Sequence, residues 1–275
     1  MAMPTLRIHD IPLHYRTEGQ GSPILFLHGM GTRGDMWEPQ IPFFSREFRM
    51  IMPDLRGHGQ SGPLPDNIPP DLYARDLKAL LDHLRLEKTH VVGVSLGAVA
   101  ALTLAIYSPS SVDRLVLADG YGRTPSRLIS FLFKICYPLV ILCPWKWIQH
   151  RVLALYNGSG PGQKRTRRML KHTFSMKKEN FLRLNRQKQP DFTPLLPRIH
   201  HPTLVMAGDV NPLELKGSRL LFKRIPHSQL TIFQGEYDPL NTMETNRFNE
   251  MVRDFLKGEP LKEKPGVRIF RHDLT

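Results

Sequence analysis

Gly93-Val94-Ser95-Leu96-Gly97 stands where two patterns of different period meet. His90 to Val94 is a short β-rich apolar run, and Leu96 to Tyr107 is Ala-rich and helical. A strand that turns straight into a helix leaves its joining residue little room, and flanking glycines let the backbone fold that tightly. Such a turn holds the Ser95 hydroxyl at a helix N-terminus, where the dipole favours negative charge. Ser95 is therefore read as a nucleophile. A chance pentapeptide would lack the strand before it and the helix after it.

The rest of the chain continues the alternation. Thr5 to Ile8 and Leu13 to Thr17 read as an opening hairpin. Pro23 to Leu27, Arg49 to Pro53, Leu115 to Leu117, Thr203 to Ala207 and Gln229 to Phe233 read as buried strands. Leu72 to Leu86, Gly217 to Arg224 and Glu244 to Leu256 read as helices. With 275 residues, 41% of them hydrophobic, the chain can bury a substantial core. The expectation is an α/β fold with an eight-stranded, mostly parallel, doubly wound sheet. Residues 121–198 break the alternation and read as a helical cap inserted over the Ser95 end. Residues 1–120 and 199–257 make the core, and 258–275 a loosely packed tail.

Further motifs accompany the serine. His28-Gly29-Met30-Gly31 follows the run Pro23 to Leu27, and the amides of Met30 and Leu96 are placed to stabilise the oxyanion of a tetrahedral intermediate. Trp37-Glu38-Pro39-Gln40 and Asp54-Leu55-Arg56-Gly57-His58-Gly59-Gln60-Ser61 follow. In this order the motifs resemble the α/β-hydrolase fold family of esterases, lactonases, C–C hydrolases and perhydrolases. The likeness is strong over Leu13 to Gly120 and weaker over Pro202 to Leu256. Family members that cleave haloalkanes or epoxides carry aspartate at the nucleophile position, so Ser95 argues against both activities.

The resemblance implies an acid three residues after Gly208, where this sequence has Asn211, and an amide cannot carry the charge that steadies an imidazolium. Asp119, just after the sixth strand, fits a second acid position used by some members. The implied histidine, in the loop after the eighth strand, falls on Tyr237, give or take one residue. Asp238 follows it, and there is no histidine between His227 and His272. Either Tyr237 or Asp238 is expected at that position, with Asn211 beside it. Ordinary tyrosine and carboxylate pKa values, near 10 and near 4, suit a proton shuttle poorly unless strongly shifted. Of the 12 histidines, His28 and His58 lie in the motif loops, and His150 and His172 in the cap.

Charge is uneven. Between Tyr121 and Arg198 there are 16 Lys and Arg against Glu179 and Asp191, on a chain of formal charge +13. Leu128 to Ile148 is apolar but is broken by Lys134, Lys146, Pro138 and Pro144, which makes it a poor membrane span. Two readings stay open: cap helices lining an apolar pocket, or a patch touching anionic lipid. No nucleic-acid motif accompanies the basic cluster Lys164 to Lys171. Cys136 and Cys143 suit reduced thiols, no spacing suggests a metal or other cofactor, and Met1 to Arg7 shows no secretory signal. A cytoplasmic protein is expected, with peripheral association with a membrane as an open reading, and the oligomeric state is open. Its expected role is hydrolysis of a carboxylic ester, thioester or lactone with an apolar acyl group. The alternative is a catalytically impaired relative that binds an apolar ligand.

Overall fold

A computed structural model of the chain describes residues 5–8, 11–122, 141–186 and 190–272. The strands are β1 (Thr5–Ile8), β2 (Ile11–Glu18), β3 (Ser22–Leu27), β4 (Phe48–Pro53), β5 (Thr89–Val94), β6 (Val112–Ala118), β7 (Thr203–Gly208), β8 (Ser228–Phe233) and β9 (Val267–Arg271). The helices are α1 (Ile41–Phe44), α2 (Leu72–His83), α3 (Leu96–Tyr107), α4 (Trp145–Ala154), α5 (Pro161–Thr173), α6 (Lys178–Arg186), α7 (Pro212–Arg224), α8 (Leu240–Met243) and α9 (Thr245–Leu256).

One sheet has the order β1-β2-β4-β3-β5-β6-β7-β8-β9. From β3 to β8 all neighbours are parallel, while the β1–β2, β2–β4 and β8–β9 pairs are antiparallel. The chain winds from β3 to β4 on one side, then returns to place β5 on the other. That reversal opens a crevice at the C-terminal strand ends. The expected eight strands become nine, because part of the stretch read as a loose tail pairs along β8, with Leu230 opposite Phe270. Val267 is buried and Ile269 half-buried, and Arg268 and Arg271 point outward as charges that blunt an edge strand.

Strand side chains alternate between two faces, so each central strand feeds two cores. Ile24 and Phe26 pack with Trp37, Phe44, Phe248 and Val252 on the α1 and α9 side. Leu25 and Leu27 pack with Leu77, Leu80, Leu102 and Leu221 of α2, α3 and α7. Helix α3 is buried along Leu96–Ala105, where four alanines and Gly97 allow close approach to the sheet.

The described part of the basic segment is helical and rests on loops at the C-terminal strand ends. Ser175 N donates to Gly31 O (3.0 Å), Asn180 Nδ2 to Gly57 O (2.9 Å) and Arg165 Nη1 to Thr242 O (3.0 Å). No described helix is long and apolar enough to cross a membrane. The first part of the apolar stretch, residues 128–140, lies outside the described residues, and Cys136 with it. Cys143 is a free, half-buried thiol.

Candidate active site

Ser95 joins β5 to α3 with φ 55° and ψ −113°, a left-handed conformation that costs a non-glycine residue about 1–3 kcal/mol. Its neighbours have no space for side chains. A Cβ on Gly97 would lie 2.0 Å from Leu27 O, and one on Gly93 would lie 2.2 Å from Gly97 O. The Ser95 amide donates to Ala118 O (2.9 Å), which ties the turn to the end of β6.

The loop after β3 lies directly against this serine. A Cβ on Gly29 would be 3.7 Å from Ser95 Cβ. The loop is closed by Thr32, whose amide and hydroxyl both donate to Gly29 O (3.3 and 2.8 Å). Met30 follows with its side chain 43% exposed, and Leu96 is the first residue of α3. A first-turn N–H has no intrahelical acceptor and remains available to a ligand. Gly31, at φ 85°, lies under Phe174 of the helical segment.

Asp119 follows β6, one residue beyond the carbonyl that holds Ser95. It is buried, and its Oδ2 accepts from Leu240 N (3.0 Å) in the loop after β8. Asp238 is half-buried, and Tyr156 Oη donates to its carbonyl (2.8 Å). Asp119 Oδ1 and Asp238 Oδ1 are sealed from solvent with no N–H or hydroxyl donor among the described residues. The two carboxyls lie close enough for each to shift the ionisation of the other. Burial, then the charge of Asp238, holds Asp119 well above the usual carboxylate range. Burial raises Asp238 to about 6, the hydrogen bond from Asp119 opposing the rise.

Sequence reasoning missed a third carboxyl. Glu214, in the first turn of α7, is raised to about 8, first by burial and then by Asp238. Its signal was the spacing Asn211-x-x-Glu214, a helix-capping pattern. Asn211 is the N-cap of α7, accepting from Leu213 N (3.1 Å), and its side chain opposes the rise of Glu214. Burial raises the Tyr121 and Tyr156 hydroxyls, helped by the same carboxylates.

The other expected residues lie elsewhere. Tyr237 is 47% exposed, so of the two residues weighed after β8 it is Asp238 that meets Asp119. His28 is locked inside the fold, with Leu55 N donating to Nε2 (2.9 Å) and Nδ1 paired with Gly29 O (2.8 Å). Burial lowers it to about 4 and His58 to about 3, so both are neutral parts of the scaffold. His150 and His172 are exposed. Among the described residues no imidazole hydrogen-bonds Asp119 or Asp238. The Asp54–Ser61 motif is also scaffold: Asp54 accepts from Gly34 N and Gln60 N (2.8 and 2.9 Å), and Arg56 forms a buried pair with Asp76 (2.6 Å).

Two cavities flank the site. A narrow apolar one of about 40 Å³ is lined by Ile68, Tyr73, Leu96, Val99, Leu184 and Phe192, among others. A wider cleft of about 540 Å³ lies between the 158–163 loop and residues 235–237 and 243–246, and neither Ser95, Asp119 nor Asp238 lines it. Among the described residues no group of three or more His, Cys, Asp or Glu is arranged to hold a metal ion.

A family model for the alpha/beta hydrolase fold matches residues 22–134. The chain is 27% identical over 263 residues to 2-hydroxy-6-oxononadienedioate/2-hydroxy-6-oxononatrienedioate hydrolase 1 of Dechloromonas aromatica, covering 90% of this chain and 91% of that one. It is 25% identical over 274 residues to 3-oxoadipate enol-lactonase 2 of Acinetobacter baylyi, covering 92% and 96%. The crystal structure of the enol-lactonase from Burkholderia xenovorans superposes with a TM-score of 0.82 over 92% of this chain and 100% of that one, at 22% identity. With the winding of the sheet and the serine turn at its centre, these likenesses show that the chain has the α/β-hydrolase fold.

Proposed function

We propose that the protein is a serine hydrolase of carboxylic esters, thioesters or lactones with an apolar acyl group, using Ser95 as nucleophile. The observation that carries this reading is the strained Ser95 backbone, held at the start of α3 with the Gly29 loop against its side chain. The relatives named as an enol-lactonase and a dienedioate hydrolase also support hydrolytic chemistry.

In the proposed reaction Asp238, ionised above about pH 6, takes the Ser95 proton as Oγ bonds to the substrate carbonyl carbon. The oxyanion is met by the amides of Met30 and Leu96. Collapse breaks the bond to the leaving alkoxide or thiolate, which takes the proton back from Asp238. Water, deprotonated by the same carboxylate, then releases the acid from Ser95. A carboxylate near 6 approaches the basicity of imidazole, whose ordinary value is about 6.5. That match supports Asp238 in the place of the missing histidine, with Asp119 holding its proton and orienting it.

A fluorophosphonate probe tests this. Labelling of the wild type, lost in Ser95→Ala, together with turnover of short aryl esters well above that variant, is the expected result. The comparison is needed because an oxyanion hole and binding alone give roughly 10³–10⁴ over water. No labelling from neutral to mildly alkaline pH, with tight binding of an apolar acid, decides for a binding protein that has lost turnover.

A further inference from the structure

We infer that the outer face of α4 and α5 docks on anionic phospholipid bilayers. Helix α4 fully buries none of its residues: Trp145 and Leu153 turn inward but are only half-buried. Its surroundings are apolar and open: Leu142 just before it is 80% exposed, Trp147 within it 55%, and Leu155 just after it 75%. The Arg151 guanidinium lies over the Trp147 ring at 5.8 Å, an amphipathic pair of the kind that sits at headgroup level.

Helix α5, packed against α4, supplies the charge. Gly162, Thr166, Met169, Leu170 and Thr173 are buried on one side. Lys164, Arg168 and Lys171 are exposed at i, i+4 and i+7, a single cationic stripe. Among the described residues none of these three makes a salt bridge. An apolar surface with a tryptophan beside unpaired cations complements a bilayer that offers acyl chains and phosphate together. A nucleic acid would use the cations but leave Leu142 and Leu155 without a partner. The contact is with the surface only, since no described helix can span. The same helical segment carries the Tyr156 hydroxyl that holds Asp238, so docking brings the crevice close to the lipid.

The test uses the full chain with vesicles of phosphatidylcholine, alone or containing phosphatidylglycerol, read by co-sedimentation and tryptophan emission. The wild type is expected to bind the anionic vesicles preferentially and to be released by salt. Each of Lys164→Gln, Arg168→Gln and Lys171→Gln should weaken binding about fivefold, and the triple variant roughly 100-fold. Trp147→Ser should weaken binding and remove most of the blue shift. Equal binding to both vesicles, or unchanged binding by the folded triple variant, overturns the inference. Binding of DNA through the same lysines without vesicle binding overturns it too. Should the triple variant not fold, salt-independent binding that Trp147→Ser leaves unchanged overturns the inference in its place.

Discussion

The carboxyls of Asp119 and Asp238 lie together where the ends of β6 and β8 meet, each with one oxygen sealed from solvent and each shifting the ionisation of the other. Two carboxylates that close cannot both ionise, so one is raised far more than the other. Burial and the neighbouring charge keep the proton on Asp119, leaving Asp238 to ionise at about 6.

Ester hydrolysis is therefore predicted to rise through about pH 6 in a kcat profile and to level off above it. Asp238→Ala should lower kcat by about 10²–10⁴ with little change in KM. Asp119→Asn keeps a neutral hydrogen-bond donor beside Asp238 and should be milder than Asp119→Ala. Asp238→His, which puts an imidazole in the same place, should retain more activity than Asp238→Ala. Stopped-flow or steady-state assays across pH decide the matter; an Asp119→Asn variant as inactive as Asp238→Ala would mean that Asp119 works ionised.

The raised carboxyls also set how stability varies with pH. An acid whose folded-state pKa is raised favours the fold most below its unfolded pKa, near 4, and loses that contribution as pH rises to its folded value. For Glu214 the loss extends to about 8. Glu214→Gln imitates the protonated form and should leave Tm at pH 5 nearly unchanged while raising it, relative to wild type, at pH 8. Scanning calorimetry at the two pH values checks this, and an equal shift at both would remove Glu214 from the account.

How far the sequence foretold this arrangement depends on whether the cause was local. The Ser95 turn was legible because strand, glycines and helix are contiguous, and so was the sheet, because its strands are continuous apolar runs. The ninth strand was not, since Val267 to Arg271 buries only one residue and takes its place by pairing along the edge of β8. Asp119 and Asp238 could each be named from position in the chain. Their coupled ionisation could not, because it arises where loops 119 residues apart in sequence are buried together. Glu214 was hidden in a helix start that reads as an ordinary capping pattern.

The apolar cavity beside Ser95 predicts which acyl groups are preferred. Val99 lies one turn beyond Ser95 on α3, its amide 3.2 Å from Ser95 O, and it lines the cavity of about 40 Å³ with Leu96, Leu184 and Phe192. So small a space fits a short acyl chain. Val99→Ala enlarges it at a position where alanine suits the helix, so kcat/KM for longer aryl esters should rise about fourfold per CH₂ accommodated, with acetate little changed. Val99→Phe should act in the opposite sense and restrict turnover to acetate. A chain-length series measured on both variants tests this. An unchanged preference in both would place the acyl group elsewhere, with the wider cleft beside Arg165 and Tyr237 as the next cavity to test.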